Sequence, residues 1–146
     1  MIKNSSEIKS CLKFIDYKVE ALEFDLNKTF DADAVDVDFN IESNVDILEK
    51  KQAAVRLELK IFPEAEKNNY PFTMKLVLVG LFEIVNYDIS EGMYIFEKNA
   101  IAILFPYIRS LVSTITANVN VPPLILPPIN VVSFLESRKH AENKLY

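Results

Sequence analysis

The sequence predicts an α+β fold: a four-stranded antiparallel sheet followed by a long kinked helix, a proline-rich loop and a short C-terminal helix. Three observations predict it. Apolar and polar residues alternate with a period of two through four segments before Ser90, apolar residues then recur at helical spacing, and residues 121–130 carry four prolines among branched apolar side chains.

The first strand reads Leu12 and Phe14, then Ile15, Tyr17 and Val19, then Leu22, Phe24 and Leu26. The period is two but its phase shifts twice, which predicts a strand with bulges. Val35, Val37, Phe39 and Ile41 alternate with Asp36, Asp38, Asn40 and Glu42, the pattern of a second strand with one dry and one wet face. Val55, Leu57, Leu59 and Ile61 alternate with Arg56, Glu58 and Lys60 in a third, which ends at Pro63 because proline cannot donate to a central ladder.

After a polar, turn-like stretch, Phe72, Met74, Leu76, Leu78, Gly80, Phe82 and Ile84 share one face of a fourth strand. The opposite face starts polar at Thr73 and Lys75 and then turns apolar at Val77, Val79 and Leu81. The middle of this strand therefore needs cover on both sides, from within the chain, from another subunit or from a client chain.

Ile101, Leu104, Phe105, Ile108, Leu111, Val112 and Ile115 recur at helical spacing. Asn99 is a candidate cap, or a break from a shorter helix over residues 91–98, and Pro106 predicts a kink or the first turn of a new helix. The prolines at 122, 123, 127 and 128 forbid helix and favour a rigid extended loop. Asn130 can then cap a final helix with Val131, Phe134 and Leu135 on its inner face.

At 146 residues and 50% hydrophobic, the chain is expected to form a single domain over residues 1–146. A formal charge of −5 argues against nucleic acid, whose binding rests on Lys and Arg neutralising phosphates. Cys11 is the only cysteine, so no internal disulfide forms and a reducing compartment is consistent. The uninterrupted apolar runs fall short of a membrane span and residues 1–10 lack a signal-peptide core, so no membrane insertion and a cytoplasmic location are expected.

Catalytic chemistry lacks its parts. The two glycines, Gly80 and Gly92, do not form a phosphate-cradling loop, and His140 is the only histidine, so histidine triads and multi-histidine metal sites are not available. Asp31, Asp33, Asp36 and Asp38 lack the glycine turn and distal glutamate of a calcium hand, and Asp36 and Asp38 fit the wet side of a strand. No enzyme activity, cofactor or metal is expected, and the inventory points to binding.

Ile103-Leu104-Phe105-Pro106-Tyr107 with Arg109, followed by Pro122-x-Leu124-x-Leu126-x-Pro128-Ile129-Asn130, resembles the signature of the SecB protein-export chaperones, Ile-Leu-Phe-Pro-Tyr-x-Arg and then Phe-Pro-x-Leu-x-Leu-x-Pro-Val-Asn. Phe72 and Phe82 fall where that family carries phenylalanines on its fourth strand, and the Phe24-Asp25 pair also matches. The resemblance covers roughly residues 72–135.

It implies a homotetramer, a dimer of dimers, that holds unfolded or precursor polypeptides in an apolar groove without ATP and passes them to the Sec motor ATPase. It makes Phe72, Phe82, Phe105, Tyr107, Val121, Leu124 and Leu126 candidates for client contact, each with core packing as the alternative. For Arg109 it leaves a contact that stabilises the bend. The family's motor-facing positions are similar to Ala21, Asp25, Thr73 and Lys75 here, so Asp25, Thr73 and Lys75 form a candidate docking face in which a cation replaces a carboxylate. The chain ends soon after Leu135, so the family's motor-binding tail is expected to be missing.

Val119 stands where the family has glycine, which moves a left-handed cap to Asn118 or Asn120. The family also includes chaperones that guard an antitoxin, and the altered docking face makes a dedicated partner of that kind the alternative.

Overall fold

A computed structural model describes residues 12–49, 51–85, 92–130 and 133–134. They fall in two compact units, one spanning Leu12–Val85 and one whose described part begins at Gly92. The first contains β1 (Leu12–Leu26), β2 (Phe39–Ile47), β3 (Gln52–Ile61), the one-turn helix α1 (Ala65–Asn68) and β4 (Phe72–Ile84). The second contains α2 (Met93–Asn118) and the proline-rich segment after it.

The sheet is antiparallel throughout, in the order β1-β4-β3-β2. Strands β2, β3 and β4 follow one another as neighbours, and β1 lies beside β4, a Greek-key arrangement. The chain must therefore cross from one sheet edge to the other between Leu26 and Phe39.

Both phase shifts in β1 are register shifts against β4, between Phe14 and Asp16 and between Val19 and Ala21. Ile15 and Glu20 are the extra residues, and removing them restores one side to Leu12, Phe14, Tyr17, Val19, Leu22, Phe24 and Leu26. That side faces the same way as the even-numbered residues of β4 and the odd-numbered residues of β3. Val55, Leu57, Leu59, Ile61, Met74, Leu76, Leu78 and Phe82 are buried there with no measurable exposure. Each such side chain contributes about 1.5–3 kcal/mol relative to exposure.

The second strand starts later than its alternation predicts. Val35 and Val37 precede β2, and Phe39, Ile41, Ser43, Val45 and Ile47 are the residues on the apolar side. The physical reason is the end of the partner strand: Phe62 turns to φ 51°, and its N–H closes on the Asp38 carbonyl at 2.8 Å. Upstream of that bond the alternating valines have no ladder to join.

The crossover is fastened by side chains instead. Buried Asn27 donates through Nδ2 to the carbonyls of Ala65 (3.2 Å) and Tyr70 (2.8 Å), and Asp31 and Asn69 exchange two hydrogen bonds. Tyr70 donates its hydroxyl to Asp38 Oδ2 at 2.7 Å, which, with burial and the carboxylate charge, raises the phenol above its ordinary value. Its ring rests on Phe62 (4.8 Å between centroids), Phe62 meets Phe72 edge-on (5.1 Å), and Phe72 stacks on Phe24 (5.0 Å).

Helix α2 is continuous over 26 residues, with Gly92 as its N-cap and Pro106 inside it. Asn99 is neither cap nor break but a buried interior residue. The apolar stripe begins a turn earlier than the residues from Ile101 onward suggest, because Phe96 and Ala100 are also fully buried. Pro106 removes the donor that the Ala102 carbonyl would receive, and both residues lie on the exposed side of the helix.

Taken whole rather than as uninterrupted runs, α2 is long and apolar enough to cross a bilayer by length and composition alone. The core helix of a soluble protein meets the same description, and nine residues of α2 are buried in the folded chain.

The helix ends as the Val119 substitution requires. Asn120 takes the left-handed conformation (φ 65°), and the Val121 N–H reaches back to the Thr116 carbonyl at 3.3 Å, a Schellman closure. At the far end of the loop Asn130 accepts the Ser133 N–H on its side chain (3.0 Å) and the Phe134 N–H on its carbonyl (2.9 Å), the expected cap. Val131 and Leu135 lie outside the described residues, as do Cys11 and His140.

Candidate functional site

Within the second unit, one polar stripe of α2 holds the proline-rich segment. Arg109, Ser113 and Thr116 follow at i, i+4 and i+7, so they share a helix face. Arg109 donates Nε–H to the Leu126 carbonyl at 2.9 Å, and Ser113 donates its hydroxyl to the Leu124 carbonyl at 3.1 Å. Thr116 Oγ1 accepts the Leu124 N–H at 2.9 Å while donating back to the Val112 carbonyl at 2.8 Å.

The stripe thus meets an extended chain as a neighbouring strand would, and the prolines either side keep that chain from folding back. Alternation in the extended segment decides which side chains go in. Leu126 is fully buried, Leu124 is half-buried, and Ile125 between them is 72% exposed.

Within the sheet unit, the apolar face is exposed on both edge strands, at Ile47 of β2 (50%) and along β1. Val19, Leu22 and Leu26 are 42%, 49% and 56% exposed, although their β4 partners Leu78, Leu76 and Phe72 are buried. An edge strand leaves its outer flank without a neighbour, so these side chains present apolar surface to water.

The sequence candidates separate accordingly. Phe72, Phe82, Phe105 and Leu126 are buried, with Phe82 and Leu126 showing no measurable exposure. Tyr107 is exposed, and Val121 and Leu124 are half-buried. Ile125 and the β1 residues were not singled out. Period two puts Leu124 and Leu126 on one side and Ile125 on the other, and nothing in the sequence says which side meets the helix. Among the described residues no group of three or more His, Cys, Asp or Glu side chains could hold a metal ion.

The family model of the preprotein translocase subunit SecB matches residues 22–142. The chain belongs to the SecB family. It is 37% identical over 131 residues to the uncharacterized protein MJ0357 of Methanocaldococcus jannaschii, covering 87% of this chain and 84% of that one. It is 28% identical over 110 residues to the protein-export protein SecB of Bartonella bacilliformis, covering 75% and 67%. Among solved structures, the SecB-like chaperone Rv1957 of Mycobacterium tuberculosis, in complex with a peptide from the antitoxin HigA1, has the same fold. Its TM-score is 0.66 at 18% identity, covering 86% of this chain and 93% of that one.

In this SecB-family chain the candidate docking residues lie together. Asp25 pairs with Thr73 and Glu23 with Lys75, so Asp25, Thr73 and Lys75 share the sheet face opposite the buried core, with Ala21 beside Val77. Thr73 is committed to structure: its hydroxyl donates to the Phe62 carbonyl (2.7 Å) and accepts the Ala65 N–H (3.3 Å).

Lys75 is committed too, with Nζ 3.4 Å from Glu58 Oε1; Arg56 Nη1 lies 3.3 Å and Lys60 Nζ 4.0 Å from the same carboxylate. Burial pushes the Glu58 carboxyl up, but hydrogen bonds from Arg56 and Lys75 and the charges of Lys75 and Lys60 outweigh it. The group therefore titrates below its ordinary value. Lys75 is thus held as a counter-charge to Glu58.

Proposed function

We propose that this protein is an ATP-independent, non-enzymatic chaperone of the cytoplasm that holds unfolded or precursor polypeptides on exposed apolar surface, as a homotetramer. The observation that carries the reading is Ile125, 72% exposed on a segment that prolines and the α2 stripe hold rigid. A fixed apolar side chain binds a client without first ordering itself, and each client side chain it helps to bury is worth about 1.5–3 kcal/mol. Several shallow contacts of this kind across subunits give tight, sequence-tolerant binding.

The test is aggregation of chemically unfolded citrate synthase in the absence of nucleotide. The wild-type chain suppresses it at several-fold excess, and Ile125→Asp, which leaves the melting temperature unchanged, suppresses it less. Undiminished aggregation with wild-type protein would reject the reading.

A second reading, a dedicated chaperone of one partner such as an antitoxin, is favoured by the fold match to a chaperone seen with an antitoxin peptide. The engagement of Lys75 and Thr73 within the sheet also weakens the case for docking on the Sec motor ATPase. Capture of many unrelated unfolded chains from host lysate would reject this second reading.

A further inference from the structure

The hydrogen bonds that hold the proline-rich segment leave one edge of it open. Leu124 turns both its N–H and its carbonyl to α2, the first to Thr116 Oγ1 at 2.9 Å and the second to the Ser113 hydroxyl at 3.1 Å, and Leu126 turns its carbonyl to Arg109 at 2.9 Å. In an extended chain the main-chain groups of successive residues point to opposite edges. The N–H and carbonyl of Ile125 therefore point away from the helix, and neither is hydrogen-bonded to any described residue.

Pro123 and Pro127 flank Ile125 on that outer edge, and all three residues are exposed. Each proline offers a carbonyl and neither offers an N–H. The edge thus carries three acceptors and a single donor, the Ile125 amide.

We infer that this edge captures a client by its main chain: one residue of an extended client segment lies antiparallel to Ile125 and exchanges both hydrogen bonds with it. The inference rests on the chaperone reading and specifies what the Ile125 site takes. In such a pair the two side chains stand on the same face, so an aliphatic or aromatic client residue with a free N–H lies against the exposed Ile125 side chain. The client N–H groups two residues to either side meet the Pro123 and Pro127 carbonyls. A helix, whose N–H groups are already bonded, is not taken, and neither is proline at the paired position.

The donor count decides between a foreign chain and a second copy of this one. Two copies pairing through Ile125 set Pro123 of one against Pro127 of the other, so on both sides carbonyl faces carbonyl with no N–H between them. An extended client supplies the missing donors. The same prolines withhold the donations that a longer ladder needs, which keeps the contact short and releasable.

The probe is the heptapeptide Gly-Ser-Lys-Phe-Lys-Ser-Gly, whose lone phenylalanine fixes the register, titrated into the isotope-labelled full chain and read from the amide spectrum. Exchange of the Ile125 amide with solvent is expected to slow about tenfold at saturation, while the Leu124 amide, already bonded to Thr116, changes little. N-methylation of the phenylalanine nitrogen removes the client donor and weakens binding about tenfold; N-methylation of the following lysine, whose N–H points away from the edge, weakens it less than about two-fold. On the protein side, Ile125→Ala keeps the main-chain donor and Ile125→Pro does not, so the proline variant binds less well than the alanine variant. The methylated peptides keep the test valid if Ile125→Pro fails to fold.

Equal losses from the two methylated peptides, or an Ile125 amide left unprotected at saturation, overturn capture through the main chain and leave the proposed function standing. A peptide that does not bind overturns it as well. A change in sedimenting mass on Ile125→Pro with peptide affinity unaltered assigns the edge to a contact between copies instead. Failure of the wild-type chain to suppress aggregation rejects the chaperone reading, and this inference with it.

Discussion

Arg109 and Leu126 stand 17 residues apart and are joined by a 2.9 Å hydrogen bond from the guanidinium Nε–H to the main-chain carbonyl. The bond fixes the one residue of the proline-rich segment whose side chain is fully buried. Arg109→Ala leaves that carbonyl without its donor, and the expected loss is about 1–3 kcal/mol in urea denaturation. Limited proteolysis should then cut within residues 122–129, where the wild-type chain resists. An unchanged midpoint and unchanged cleavage would show that the bond holds nothing.

Thr116 supports the same segment from two turns further along α2. Thr116→Val keeps the shape but removes the oxygen that accepts the Leu124 N–H. Hydrogen exchange at Leu124 should accelerate, with a stability loss of about 1–2 kcal/mol. Exchange as slow as in the wild-type chain would mean that the amide is protected by something else.

Asn99 makes the opposite case. Its side chain is buried, and among the described residues its Nδ2 has no hydrogen-bond partner. Asn99→Leu removes a polar group that burial has stripped of water, so the variant should be more stable by about 1 kcal/mol or more. A destabilised variant would reveal a partner for the amide.

The elements were legible in the sequence wherever one local rule decided them. The two phase shifts of β1 gave both bulges, the valine at 119 moved the left-handed cap to Asn118 or Asn120, of which the fold uses Asn120, and Asn130 caps where its side chain predicts. The start of β2 was not legible, because Val35 and Val37 alternate as well as any strand and only the turn at Phe62, in a distant segment, removes their partner. Asn99 looked like a cap since nothing local shows that its side chain is buried.

At the candidate site, the motif singled out the proline-rich segment but not its exposed member, Ile125. Whether Leu126 or Ile125 faces outward depends on the Arg109, Ser113 and Thr116 stripe of another element.

Glu58 carries a prediction about pH. The fold holds its carboxyl below the ordinary value of 4.5, so the ionised form is favoured in the folded state. That stabilisation is complete above the ordinary value and is lost as pH falls through the lower, folded value. Glu58→Gln should therefore be less stable than the wild-type chain at pH 7, by about 1 kcal/mol given that its partners are partly exposed. The difference should shrink toward zero at pH 3. Melting curves of both proteins at the two pH values decide it, and a deficit that persists undiminished at pH 3 would trace to packing rather than charge.

Asn120 sets the direction in which the chain leaves α2. Its φ of 65° is open to asparagine and glycine, while a β-branched residue there sets Cβ against the neighbouring carbonyl. Asn120→Val should cost about 1–2 kcal/mol, and Asn120→Gly should be nearly neutral. The valine variant should also expose the Val121 N–H, which closes on Thr116 at 3.3 Å, to faster hydrogen exchange. Since the Leu124 and Leu126 contacts lie downstream of that turn, Asn120→Val should reduce suppression of aggregation as Ile125→Asp does, but with a lowered melting temperature. Equal stability of the two Asn120 variants would mean that the turn relaxes to another geometry, and that the loop is placed by the α2 side chains alone.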